Sequence, residues 1–352
     1  MKPAHYPQIR RLLSAWYDDR ARDLPWRRTR DPYRIWLSEI ILQQTRVEQG
    51  LPYYEKFIRR FPDIRALAQA HADEIKKLWE GLGYYRRADN MHATAKIIAE
   101  QYGGRFPASP EALKKLPGIG DYTAAAVASF AFDIPVAVTD GNVMRVLSRL
   151  SGWDAPVNTP AGQKIFRELA EELLDKNNPA KFNQSLMEFG ALQCVPRNPR
   201  CEICPLQDFC AAYQTGNVNR LPVKKTKKPL RKRYFYYFLS EKDGKVAVRQ
   251  RTADDIWRGL YEFPGWESDR PLSVAEMQDR ATRSGIRLRT ERPFQSVRRT
   301  LTHQRLTLEF WETEGALPAA EYVDFKTLSS LPFPVALRKI LDDWINMPNF
   351  EP

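Results

Sequence analysis

The sequence predicts two domains of different class, a mostly α-helical one followed by an α+β one. Three observations predict this. Apolar residues recur at three- and four-residue spacings through residues 1–220, a Pro-bounded basic run interrupts the chain at 222–233, and strand-like alternation follows it. A length of 352 residues suits two domains, and a 43% apolar content is ample for buried cores, which excludes a wholly disordered chain.

In chain order, Asp73–Trp79, Asn90–Gln101, Pro110–Lys115, Thr123–Phe132 and Ala161–Leu174 carry helical spacing broken by Gly and Pro turns. The run from Pro222 to Arg233 (PVKKTKKPLRKR) is expected to be solvated and extended, and is placed as the linker. This divides the chain into 1–222, a basic linker 223–233, and 234–352. Beyond it, Tyr234–Leu239 is aromatic and strand-like, Asp243-Gly244 is a turn signal, and Val246–Gln250 offers a hairpin partner. Leu306, Leu308 and Phe310 alternate in another strand, and Val335–Ile345 reads as a closing amphipathic helix. No internal repeat is present.

The formal net charge of +12 implies an anionic partner, nucleic acid first and a membrane surface second. The N-terminus lacks an apolar signal segment, and the longest apolar stretch, Thr123–Val138, is interrupted by Asp133 and Pro135, so no membrane span is expected. The expectation is a soluble intracellular protein.

All four cysteines lie in one short stretch, Cys194-x6-Cys201-x2-Cys204-x5-Cys210. Thiols so close together point to one metal site rather than disulfides, and their spacing leaves zinc and iron–sulfur competitive.

Three further segments can carry chemistry. Leu116-Pro117-Gly118-Ile119-Gly120 lies between two predicted helices, where Gly118 and Gly120 permit a tight reversal with backbone N–H groups facing outward, a seat for a phosphate; a plain helix–helix turn is the competing reading. Asp140 in Val138-Thr139-Asp140-Gly141-Asn142-Val143 stands just before a helical pattern, where it caps the helix and is a fixed, ionised carboxylate. Glu39 is the single acid of the nearly apolar helix Ile35-Trp36-Leu37-Ser38-Glu39-Ile40-Ile41-Leu42-Gln43-Gln44-Thr45, and apolar neighbours raise a carboxyl pKa toward that of a proton donor near neutral pH.

Together, the LPGIG hairpin, VTDGNV, the cysteine loop and WLSEIILQQT resemble the adenine DNA glycosylases of the MutY type, densely over residues 20–215 and more loosely elsewhere. The resemblance implies a helix–hairpin–helix glycosylase domain with a [4Fe–4S] cluster loop, joined by the basic linker to a Nudix-like domain that reads the lesion. It implies Glu39 as the acid that protonates the flipped adenine, Asp140 as the carboxylate facing the oxocarbenium-like sugar, Asn142 as the residue that orients the reacting groups, and Tyr122 as the sugar-side wall. Trp26, Arg27 and Glu188 would hold the base. Gln43, Gln44 and Tyr84 would fill the gap left by base extrusion, although packing in the core is the competing role for the aromatic. Arg197 and Arg200 would meet phosphates from the cysteine loop. The endonuclease III type carries a lysine amine at the position of Tyr122, so the resemblance implies a monofunctional enzyme that leaves an abasic site. Met144 likewise stands where some relatives have lysine.

Trp257–Trp266 (WRGLYEFPGW) resembles the entry to a Nudix fold, but the following Val274–Ile286 lacks paired glutamates, so a binding domain is expected instead of a magnesium-dependent hydrolase. Where the family carries Phe-Ser-His, this chain has Leu301-Thr302-His303. Thr302 and His303 keep hydrogen-bonding capacity toward 8-oxoguanine while the aromatic is lost. His5, His71 and His92 lack ligand spacing.

The expected function is removal of adenine mispaired with 8-oxoguanine or guanine in duplex DNA, by a monomer with no membrane association. Two alternatives stand beside it: an endonuclease III-like glycosylase/lyase for damaged pyrimidines, and a non-catalytic iron–sulfur DNA-binding protein.

Overall fold

The structure is a computed structural model that describes residues 2–226, 229–318 and 320–346. The described residues form two compact units: 2–69 with 90–226, and 70–89 with 229–346. No described helix is long and apolar enough to cross a membrane.

The first unit is helical. Its elements are α1 (Tyr6–Arg20), α2 (Pro32–Leu42), α3 (Val47–Arg60) and α4 (Ile64–Gln69); after α5 (Ala72–Leu78), which belongs to the second unit, come α6 (Arg86–Gln101), α7 (Pro110–Leu113), α8 (Asp121–Phe132), α9 (Gly141–Ser151), α10 (Pro160–Leu173), α11 (Pro179–Leu192) and α12 (Ala211–Gln214). Helix α2 starts at an Asp31 cap that accepts from Tyr33 N–H, with Pro32 in the first turn. It buries residues on every side, as expected of a helix apolar all round. Helix α8 is also apolar all round, packs on α2, and ends at Asp133 in the left-handed conformation. Helix α11 packs against α1, α8 and α9, so the N-terminal ends of α8 and α9 are held over α2 and α11.

The second unit carries two sheets. One is β5 (Gly265–Ser268), β1 (Arg231–Leu239), β8 (Gln304–Glu314) and β6 (Arg287–Leu288), with β7 (Gln295–Thr300) also on β8; the β1–β8 pair is parallel and the rest antiparallel. The other joins β2 (Glu241–Lys242), β3 (Lys245–Gln250) and β4 (Tyr261–Glu262), with β9 (Glu321–Asp324) on β3. Helix α13 (Val274–Arg283) packs Met277 against Tyr236 and Trp311 on one face of the larger sheet, while α14 (Phe325–Ser330) and α15 (Val335–Ile345) cover Phe235, Tyr237 and Leu308 on the other.

The structure differs from the sequence reading in three places. The hairpin at Asp243-Gly244 forms, with both residues left-handed, but β3 pairs with the two-residue β2 and not with Tyr234–Leu239. Strand β1 is buried on both faces and so takes a neighbour on each side, β5 and β8. The linker is also shorter than the basic run. Arg231–Arg233 are the first residues of β1, and Arg233 is buried, its guanidinium bonded to Asp255, Glu267 and Gln304. Lys227 and Lys228 lie outside the described residues, as do Met1, Ala319 and 347–352. The partition at 222 and 234 further differs from the compact units in the segment 70–89. This segment joins the C-terminal unit because Tyr85 Oη donates to the Phe333 carbonyl (3.3 Å) and Arg338 Nε to Glu80 (3.2 Å).

Candidate active site

An open cavity of about 780 Å³, its mouth included, lies in the helical unit between the short helix Pro25–Arg27, α2, α8, the start of α9, and α11. Glu39, Tyr122, Asp140, Asn142, Trp26, Arg27 and Glu188 all line it. The seven residues expected at the reacting centre and around the base therefore share one chamber.

Glu39 comes from the middle of α2 and is 7% exposed. Burial pushes its pKa up to about 7, with the nearby Asp140 charge adding to the rise and the Tyr122 hydrogen bond and Arg27 opposing it. Tyr122, in the first turn of α8, donates its hydroxyl to Glu39 Oε2 at 2.6 Å. Burial, together with the charges of Glu39 and Asp140, lifts the Tyr122 phenol well above its ordinary value, so it stays a donor.

Asp140 is the cap of α9, as its position in the sequence implied. Its Oδ1 accepts from Val143 N–H and its Oδ2 from Asn142 Nδ2, each at 2.7 Å. The expectation of a firmly ionised group meets an opposing effect. Burial raises its pKa above the usual aspartate value, against the pull of these donors and of Arg145. The two carboxyls thus differ in support: Asp140 has donors on both oxygens, whereas among the described residues Glu39 accepts from the one phenol, at Oε2.

Glu188 sits in a third environment. Arg22 grips it with Nε and Nη2 (both 2.8 Å) and with its backbone N–H (3.0 Å), and Arg27 adds a bond of 2.7 Å. Burial opposes ionisation here, but the arginine bonds outweigh it and hold the pKa at about 2. Arg22, Gln184 and Met187 also line the cavity and were not anticipated. A buried Glu inside the apolar run SLMEFGAL does signal that a cation must approach it, but not from where in the chain.

From Asn142 a bonded path leads to the cysteine loop. Arg145 Nη2 donates to Asn142 Oδ1 (2.9 Å) and the Gly190 carbonyl (2.6 Å), and its Nε to the Cys194 carbonyl (2.8 Å). One turn on, Arg149 donates to Cys194 Sγ (3.3 Å), the Val195 carbonyl (2.8 Å) and the Leu221 carbonyl (3.0 Å). All four cysteines are half-buried and none is in a disulfide. Cys194, Cys204 and Cys210 pack against the main helical core. Burial raises the thiols of Cys201, Cys204 and Cys210, each also feeling the charge of Cys194, as a mutually facing set does. The donor set, four thiols of which three pack against the apolar core, fits an iron–sulfur cluster.

The expected DNA contacts are all at or near the surface. Gly118 (φ 74°) and Gly120 are exposed in the hairpin between α7 and α8, and a Cβ on Gly118 would sit 2.7 Å from Asn90 Cβ. Gln43 ends α2 and donates to Thr123 Oγ1 (3.3 Å), while Gln44 is exposed and left-handed (φ 59°). Arg197 and Arg200 are exposed on the cysteine loop. Tyr84, Thr302 and His303 belong to the other unit and are exposed there, Tyr84 with φ 46° and the other two on the β7–β8 turn. Exposure of Tyr84 sets aside the competing core role, which its neighbour Tyr85 takes instead.

Residues 37–174 match the HhH-GPD superfamily of base excision DNA repair proteins, 194–210 the iron–sulfur binding domain of endonuclease III, and 235–343 the NUDIX domain. The adenine DNA glycosylase of Buchnera aphidicola subsp. Schizaphis graminum is 38% identical over 258 residues, covering 73% of this chain and 74% of that one. The chain belongs to the adenine DNA glycosylases. The human adenine DNA glycosylase is 33% identical, over 90% of this chain and 69% of its own. Among solved structures, a thermostable thymine-DNA glycosylase superposes with TM-score 0.56 at 33% identity, covering 60% of this glycosylase and 98% of that chain. Endonuclease III in a non-covalent DNA complex gives TM-score 0.54 at 19% identity, over 61% and 98%, a likeness of fold. The cofactor of the glycosylase's cysteine loop is a [4Fe–4S] cluster.

Proposed function

We propose that this glycosylase hydrolyses the N-glycosidic bond of adenine paired with 8-oxoguanine, or with guanine, in duplex DNA. The observation that carries this reading is the pairing of Glu39 and Asp140 in one cavity with unequal support. Glu39, poised at about 7, donates a proton to the purine as the bond to the sugar breaks and the electron pair leaves with the base. Asp140, fixed by donors from Asn142 and Val143 on its two oxygens, faces the positive charge that develops on the sugar, which water then quenches. Trp26, Arg27 and Glu188 wall the base; Trp26 is itself held edge-on by Tyr54 at 5.0 Å.

Tyr122 offers a hydroxyl, already committed to Glu39, where a lyase needs a free amine. This supports a monofunctional enzyme over a glycosylase/lyase, and no borohydride-trapped adduct is expected. Gly118 and Gly120 present N–H groups to a phosphate, as do the guanidinia of Arg197 and Arg200. Gln43, Gln44 and Tyr84 occupy the space vacated by the extruded base. Bound to Cys194, Cys201, Cys204 and Cys210, the cluster supplies structural cross-linking of that loop. In this reading the helical unit is catalytic and the C-terminal unit, with the segment 70–89, reads the opposite base through Thr302 and His303; the working unit is a monomer.

Replacing Glu39 with Gln keeps the shape and removes the proton. Single-turnover adenine release from an A:8-oxoG duplex is expected to fall by about 10²–10⁴-fold while duplex binding persists. Undiminished release would defeat the mechanism.

A further inference from the structure

The end of the C-terminal sheet that carries Thr302 and His303 gathers cations from three strands. Lys232 in β1 stands beside Arg305 in β8, Arg305 stands beside Thr300 in β7, and one step further in, Arg298 stands beside Thr307. Side chains alternate along a strand, and Phe235, Leu306 and Val297 point to the core beneath α15. Lys232, Arg298 and Arg305 therefore fall together on the opposite face, and Arg231 and Arg299 flank the same corner from the other side. All five are exposed.

Their neighbour Arg233 is a useful contrast. It is buried and saturated by Asp255 and Glu267, whereas none of the five cations pairs with a carboxylate among the described residues. Like charges side by side on adjacent strands, about 4.8 Å apart, repel one another, a cost that a polyanion laid across them offsets. The corner includes none of the exposed large hydrophobic side chains, so it lacks the apolar centre that a protein partner would need; beside its cations stand the hydroxyls of Thr300, Thr302 and Thr307 and the partly buried Tyr234, the β1 partner of Thr307. The tip is tied to this platform: Leu301 N–H donates to the Gln304 carbonyl (2.8 Å), and Arg231 N–H donates to the His303 carbonyl (3.2 Å).

We infer that this corner is a phosphate-binding surface that holds the DNA strand whose base meets Thr302 and His303. The assignment rests on the reading of that tip as the lesion reader. It gives the C-terminal sheet an affinity role that does not depend on which base lies opposite adenine. Each phosphate neutralised adds about 0.9 to the steepness of log K against log salt.

The test compares the full chain with its Lys232→Gln/Arg298→Gln/Arg305→Gln variant by titrating an A:8-oxoG duplex and an A:G duplex across a salt series. The slope is expected to fall by roughly 2 to 3 for both duplexes. The charge-keeping Arg298→Lys/Arg305→Lys variant is expected to retain it, which separates charge from folding. An unchanged slope in the Gln variant overturns the phosphate surface, as does an equal loss in the Lys variant. A Thr302→Val/His303→Leu variant tests the tip separately, through the ratio of release rates for the two duplexes. A lowered slope in the Gln set beside an unaltered ratio in the tip variant would keep the phosphate surface and reject the lesion-reading tip.

Discussion

At the residue scale, the proposed chemistry turns on Glu39, whose proton burial retains and the 2.6 Å bond from Tyr122 helps release. A hydrogen bond donated to a carboxylate stabilises the charged form, so it holds the Glu39 pKa down against burial. The protonated acid is lost as pH rises through about 7, and single-turnover release should decline above that point. Tyr122→Phe removes the donor, so the alkaline limb is expected to move to higher pH; a shift to lower pH would contradict the geometry. Glu188 has the opposite sign. Its pKa is lowered from about 4.5 to about 2, so its stabilising contribution is present above 4.5 and is lost as pH falls toward 2. Glu188→Gln leaves Arg22 and Arg27 facing a neutral group, and should cost about 3–5 kcal/mol in chemical denaturation at neutral pH. The candidate acids were legible at this scale, since a lone Glu in an apolar helix and an Asp before a helix are local patterns. Arg22 was not, because it meets Glu188 across 166 positions of sequence.

At the element scale, the site depends on how closely α9 and α11 approach. A Cβ placed on Gly190 would lie 2.7 Å from Asn142 Cβ and 2.9 Å from the Asn142 carbonyl oxygen, so only glycine allows this contact. Gly190→Ala should therefore destabilise the fold by about 1–3 kcal/mol and disturb Asn142, the partner of Asp140, lowering both the melting temperature and the release rate. Helices were the most readable elements: α8, α10 and α15 follow their periodicity and capping signals to within two residues. Strand pairing was less readable. The Asp243-Gly244 turn is encoded locally, but the choice of β5 and β8 as neighbours for β1 is made by the burial of both faces of β1, which no local signal states.

At the scale of the whole molecule, the segment 70–89 is interposed in the helical half of the sequence yet packs with the C-terminal half. Tyr85, Glu80 and Lys76 reach Phe333, Arg338 and the Gly259 carbonyl, contacts that only the folded chain creates. A fragment ending at residue 226 would strip these partners away. It should melt at a lower temperature than the full chain, with early proteolysis between residues 70 and 89; equal melting and protection would show that the segment needs no such support. Composition announced the two classes of domain and the excess of basic charge, but not this exchange, because every cue within 70–89 is that of an ordinary helix and turn.

In the proposed mechanism, the phenol at position 122 also bears on what the enzyme leaves behind. On the proposed reading, its proton is turned toward Glu39 and it offers no amine to capture the bare deoxyribose, which stays in the strand as an intact link between its two flanking nucleotides. Continuity of the polymer would then be preserved, and the incision would fall to a different catalyst that recognises a rung with nothing attached.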